Sequence, residues 1–153
     1  MRQTLTLLSL TFLAAITMSP QFARVNAAEL YGLKKGTVEL KSGGPLAFGP
    51  SGILFIGDPQ AARIYAVNTE DAKTTGDSFE VKNLEGKISS ALNVDQVIIA
   101  DLAVNPETGN AFLSLTADGK SGIIRVSPDG SVTPLNLEKI ANSSVNLPNA
   151  PED

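Results

Sequence analysis

Two stretches of this chain repeat each other, and that repeat restricts its possible folds more than any single residue does. The run Pro45-Leu46-Ala47-Phe48-Gly49-Pro50-Ser51-Gly52-Ile53-Leu54-Phe55-Ile56-Gly57, followed by Arg63-Ile64-Tyr65-Ala66-Val67, aligns with a second run. The second is Asp101-Leu102-Ala103-Val104-Asn105-Pro106-Glu107-Thr108-Gly109-Asn110-Ala111-Phe112-Leu113-Ser114-Leu115, followed by Gly122-Ile123-Ile124-Arg125-Val126. The pattern recurs after about 56 residues, the mark of tandem structural units. Each copy reads as a short strand, a Pro and Gly turn, an apolar strand, a polar loop and a third strand. Ser78-Phe79-Glu80-Val81 and Ser131-Val132-Thr133-Pro134-Leu135 then read as a fourth strand in each copy.

The turns have a physical basis. Pro50 or Pro106 fixes φ for the turn, and Gly52 or Gly109 accepts the positive φ that closes it. Pro128-Asp129-Gly130 makes a similar hairpin between the third and fourth strands of the second copy. Ile53 to Ile56 is apolar on both faces, as in a sheet sandwiched between neighbouring sheets, so a single unit cannot bury itself. Four-stranded antiparallel units in tandem, each covered by its neighbours, describe the blades of a β-propeller. The expected fold class is therefore all-β: β-propeller-type four-stranded antiparallel blades forming an incomplete propeller, with one short helical insertion.

Leu46-Ala47-Phe48-Gly49-Pro50-Ser51-Gly52-Ile53-Leu54-Phe55 with Arg63-Ile64-Tyr65, and Leu102-Ala103-Val104-Asn105-Pro106, resemble blades of the NHL-repeat and gluconolactonase-like propellers. The resemblance spans about residues 44 to 137 and concerns architecture more than activity. Two departures stand out. The Asp usual after the second strand is Asp58 in the first copy but is displaced to Asp118 in the second, and the repeat exceeds the ~40 residues common in propellers.

Residues 1–28 read as a secretory signal peptide. They hold two Arg and no acid, an apolar run from Leu5 to Met18, and Val25-Asn26-Ala27 as the small-residue cleavage signature, which places the cut after Ala27 or Ala28. The apolar run falls short of the roughly 20 residues of a spanning helix, so no stable membrane anchor is expected after cleavage. Residues 29–43 form a lead-in with one strand, Thr37-Val38-Glu39-Leu40. The first blade takes 44–82, a helical connector 83–96 and the second blade 97–137. The connector's helix is expected at about Lys87 to Leu92, with Ile88, Ala91 and Leu92 on one face. Residues 138–153 read as a polar tail with no terminating strand, as at the front of a longer propeller.

Composition excludes several chemistries. The 153 residues include no Cys, His or Trp, so there is no thiol nucleophile, no imidazole base and no Cys or His zinc site; a Ser-His-Asp triad is impossible. Beyond residue 28 there are ten basic and sixteen acidic residues, net −6, and the basic ones are scattered, so nucleic acid is not an expected partner. Export without cysteine fits a bacterial periplasm or exterior.

The acids singled out for chemistry are Asp58, Asp101, Glu107 and Asp118, because propeller loops and strand ends can point into a central channel. The resemblance to gluconolactonase-like enzymes implies a divalent metal held there by carboxylates and Asn, and oxygen ligands suit calcium or magnesium. Asp101, at the start of an innermost strand, is the best single metal ligand, although the first copy has Gly44-Pro45 at that place. The glycines lack phosphate-loop spacing and read as turn residues. Phe48, Phe55, Tyr65, Phe79 and Phe112 read as core packing. Two functional readings follow. The first is an exported, non-catalytic module that binds a protein, peptide or carbohydrate. The second is a lactonase-like, metal-dependent hydrolase with further ligands beyond residue 153. Open sheet edges add the expectation of self-association.

Overall fold

The first copy folds as β2 (Leu46–Phe48), β3 (Ile53–Asp58) and β4 (Arg63–Asn68), an antiparallel meander in which Leu46 pairs with Ile56 and Ile56 with Tyr65. The computed structural model describes residues 27–72 and 80–148. The second copy gives β5 (Val97–Val104), β6 (Ala111–Ala117), β7 (Lys120–Val126) and β8 (Val132–Pro134), a four-stranded antiparallel sheet in chain order. The repeated Pro and Gly turns close alike. Gly49 N–H donates to Ile53 O at 2.8 Å with Gly52 at φ 71°, and Asn105 N–H donates to Asn110 O at 2.9 Å with Gly109 at φ 75°. The all-β expectation of stacked antiparallel sheets therefore holds, and no barrel closes.

The first sheet differs from the expectation in where its outer strands come from. Its order is β1-β9-β4-β3-β2, with β1 (Lys34–Gly36) and β9 (Ile140–Asn146) drawn from the two ends of the described chain. The segment read as a structureless polar tail thus contains a strand. β9 pairs through Asn142–Asn146 with β4 and through Ile140–Asn142 with β1, so backbone bonding on both sides holds a polar sequence extended. Arg63 Nε adds a bond to Asn146 Oδ1 at 2.7 Å. β9 occupies the place beside β4 where a fourth strand was expected from Ser78–Val81; of those residues Glu80 and Val81 lie outside any strand, and residues 78 and 79 lie outside the described residues. The lead-in strand is likewise shifted, from Thr37–Leu40 to β1. Val38 instead turns inward, buried, and its N–H donates to Leu137 O at 2.8 Å.

The sheets pack face to face. The register puts Leu46, Phe48, Leu54, Ile56, Tyr65 and Val67 on one side of the first sheet, where they meet Ala103, Phe112 and Ile123 of the second. The Phe48 ring stands edge-on to Phe112 with centroids 5.2 Å apart. Each large side chain buried here contributes about 1.5–3 kcal/mol by leaving water. The link from β1 to β2 threads this seam. Ser114 Oγ donates to Gly44 O at 2.6 Å, and a Cβ on Gly44 would lie 2.3 Å from Gly57 O, so only glycine fits.

Outer faces complete the layout. Helix α2 (Leu84–Leu92) crosses the second sheet's outer face, burying Ile88 against Ala111, Leu113, Leu115, Ile124 and Val126. It starts earlier than the expected Lys87, because Asn83 caps it by accepting from Gly86 N–H at 3.3 Å. The stripe that packs on the sheet is Leu84, Ile88 and Leu92, one residue per turn, with Ile88 buried and the two leucines half-buried; Ala91, expected on that face, is exposed. The short helix α1 (Ala27–Leu30) precedes β1, and the expected leader cuts fall inside it, while residues 1–26 lie outside the described residues. No helix among the described residues is long and apolar enough to cross a membrane.

Candidate functional site

The acids chosen from the sequence are drawn apart by the fold, and three of them act as acceptors for backbone N–H groups. Asp58, buried at the end of β3, accepts from Lys41 N–H at 2.7 Å, Ser42 N–H at 3.1 Å, Ser42 Oγ at 2.7 Å and Ala61 N–H at 3.1 Å. Asp118, beyond β6, accepts from Gln96 N–H at 2.9 Å and Asp95 N–H at 3.4 Å. Each carboxylate therefore holds two consecutive backbone amides of the segment that leads into its own sheet. The displacement of Asp118 comes from its place in the two-residue hairpin turn Asp118-Gly119, where φ is 45° and 79°.

Asp101 owes its direction to a β-bulge. The β5–β6 register shifts between Ile99, which faces Leu115, and Asp101, which faces Ser114. Without that extra residue Asp101 would share the outer face with Val97 and Ile99; with it, the carboxylate turns toward the first sheet. There Oδ2 accepts from Leu46 N–H at 2.7 Å and clips the edge of β2 to β5. Glu107 sits exposed on the β5–β6 turn, its N–H donating to Asn105 Oδ1 at 3.0 Å. Among the described residues no three Asp or Glu side chains gather to hold one metal ion. Asp101 has one lone pair committed to Leu46 and, among the described residues, belongs to no group of three carboxylates, whereas calcium and magnesium take several oxygen ligands.

A second carboxylate bonded as densely as that of Asp58 belongs to Asp71, which the sequence reading passed over. Asn105 Nδ2 donates to Oδ2 at 2.8 Å and Thr108 Oγ1 to Oδ2 at 2.5 Å, while Asn110 Nδ2 donates to Oδ1 at 2.7 Å. The Arg125 guanidinium stands 3.3 Å from Oδ1. Asp71, Asn105, Thr108 and Asn110 are all buried, so the cluster pins the chain leaving β4 to the turn of the second sheet. Its signal in the sequence is the Asn-x-x-Thr-x-Asn spacing of residues 105–110, which also satisfies a plain turn. The carboxylate that completes it lies more than thirty residues away, and no local pattern selects it.

Two depressions are lined by described residues. A polar one of about 490 Å³ lies at the start of α2, where Lys87 Nζ donates to Gly130 O at 3.2 Å. An apolar one of about 400 Å³ lies on the first sheet's outer face, between Pro45, Ala47, Phe55, Ile64 and Leu147. Phe55, read from sequence as core, is 40% exposed here, because nothing among the described residues covers that face as α2 covers the other. Tyr65 and Phe112 are core, Phe48 packs against it, and Phe79 lies outside the described residues. Compared with protein-family models, curated proteins and solved structures, the chain matches none.

Proposed function

We propose that this chain is an exported, propeller-type repeat protein that works as a non-catalytic binding or interaction module, with the open face of its first sheet as the contact surface. The observation that carries this reading is the contrast between its acids and its apolar groups. Asp58, Asp71, Asp101 and Asp118 are engaged as acceptors that hold backbone and side chains in place. Meanwhile Phe55, Val145 and Leu147 stand exposed on one sheet face, and exposed apolar patches mark contact sites.

Both halves of the proposal are testable. Produced with its own leader in a Gram-negative host, the chain is expected in the periplasmic fraction with a new amino terminus at Ala28 or Glu29. An unprocessed cytoplasmic chain would defeat the export reading. For the non-catalytic half, calcium added to the processed protein is expected to leave its melting temperature unchanged. A rise with calcium that Asp101→Ala abolishes would instead favour a metal-dependent hydrolase.

A further inference from the structure

Among the described residues the two sheets end in four edge strands, and three of them carry features that discourage further pairing. β1 is three residues long and begins with Lys34 and Lys35, β2 is three residues long with its Leu46 N–H already given to Asp101, and β8 is three residues long and ends at Pro134. β5 is different. It runs for eight residues without Pro or Lys, pairs only with β6 among the described residues, and leaves Ile98 68%, Leu102 49% and Val104 50% exposed. Helix α2 does not roof this edge, since its buried contact centres on Ile88 over β6 and β7. An edge of this kind presents a row of backbone donors and acceptors that an extended strand satisfies.

We propose that this strand is the β5 of a second copy, paired antiparallel across a two-fold axis so that two four-stranded sheets become one continuous sheet. The β-bulge is what makes β5 complementary to itself. Full overlap of an eight-residue strand with its two-fold copy sets Val97 opposite the second copy's Val104, Ile98 opposite its Ala103 and Ile99 opposite its Leu102. In an unbulged strand each of those pairs would join an outward residue to an inward one. The shift between Ile99 and Asp101 corrects this. Val97, Ile99, Leu102 and Val104 face Ala117, Leu115, Leu113 and Ala111 and so share the α2 side, while Ile98 and Ala103, facing Thr116 and Phe112, share the other. A bulge turns an edge away from a straight partner strand, whereas a two-fold copy carries the same bulge beside the axis, which favours a second copy over an unrelated peptide. Asp101, the one charged residue of β5, comes next to its own copy at the axis, so like charge opposes the contact and salt relieves it. The contact lies apart from the Phe55 face and goes beyond the reading given for it.

Because the chain has no Cys, introduced cysteines report the register. Ile99→Cys and Leu102→Cys variants, mixed and oxidised, are expected to cross-link to each other, since directly opposite residues lie about 4.5–5.5 Å apart. Neither is expected to cross-link to itself, because the two copies of either residue are offset by three positions, about 10 Å along the strand. Light scattering is expected to find the protein produced with its own leader as a dimer that tightens with added salt. Ile98→Lys, which gives this edge the charge that β1 carries, is expected to be a monomer with the parent's circular dichroism, and Phe55→Asp to remain a dimer. A monomeric parent would overturn the proposal. So would cross-linking of each cysteine variant with itself but not with the other, which reports a different register, or a dimer that Phe55→Asp dissolves and a folded Ile98→Lys does not, which places the contact on the first sheet. The calcium and export experiments read none of these outcomes, so the two readings fail separately.

Discussion

The two sheets repeat one sequence pattern, yet their outer faces present opposite sides of it: Ala47 and Phe55 face outward in the first sheet, whereas their equivalents Ala103 and Phe112 face inward in the second. In the second sheet the outer face is roofed by α2, and Ile88 is fully buried over Leu113 and Val126. In the first sheet the outer face is open, and Phe55 is 40% exposed where its equivalent on the corresponding side of the second sheet, Phe112, is 1% exposed. The difference lies in what stands alongside each sheet. The connector between the copies is long enough to fold back as a helix on the sheet that follows it, whereas the fifteen or so residues before the first copy enter at the β9 edge as β1 and then thread the inter-sheet seam. The repeat therefore sets which side of its sheet each residue takes, while burial depends on what packs there: the first sheet lies over Phe112, and nothing among the described residues lies over Phe55.

Truncating the two equivalent phenylalanines is the most direct way to break this comparison. Phe112→Ala is expected to lower unfolding stability by about 3–5 kcal/mol, the range for removing a ring from a packed core. Phe55→Ala, measured in urea, is expected to cost about 1 kcal/mol or less, since much of its ring already meets water. Similar costs at both positions would mean that the first face is covered in solution.

The paired carboxylates sharpen the comparison with a smaller effect. Asp58→Asn leaves a buried amide among donors that previously met a carboxylate, with an expected loss of about 1–3 kcal/mol. Asp118→Asn, whose bonds to Asp95 and Gln96 are exposed to solvent, is expected to cost under about 1 kcal/mol. If the order reversed in chemical denaturation, burial would not be what separates the two clamps.

The smallest effect concerns the turn against which α2 sits. The Ser131 hydroxyl and then its backbone N–H hydrogen bond to Asp129, which holds that carboxyl below its ordinary 3.8. A lowered carboxyl contributes stability that is complete above the unfolded value and is lost as pH falls through the folded one, so this turn loosens only in the acid range below about pH 4. A carboxyl-detected NMR titration is expected to place Asp129 below 3.8, and Ser131→Ala to bring it back up. An Asp129 midpoint that ignores the Ser131 substitution would rule out the hydroxyl as the cause.

How much was legible in the sequence follows from the range of each interaction. The meanders, their turns and the β8 strand rest on neighbours in the chain: Pro50 with Gly52, Pro106 with Gly109, and alternating apolar residues that face a core. The role of Asp101 was not legible, because a bulge one residue long reverses its face, and nothing in Val97–Val104 marks where a bulge falls. The Asp71 cluster was missed for the same reason on a larger scale, since its partners come from another sheet. The candidate contact surface was half legible: Phe55 was recognised as a sheet residue, but its exposure depends on what packs over that face, and nothing among the described residues does.

By itself the sequence determined the repeat, the antiparallel units, the helix between them and the absence of thiol and imidazole chemistry, because these depend on local conformational preference and on residue type alone. Only the tertiary structure decided that Asn142-Ser143-Ser144 becomes a strand, that the first sheet gathers β1 and β9 from far along the chain, and that the acids serve as clamps. A polar segment has no apolar alternation to make it extended. It becomes a strand when β4 and β1 present unpaired backbone groups to it, and those groups exist only once the rest of the sheet has formed.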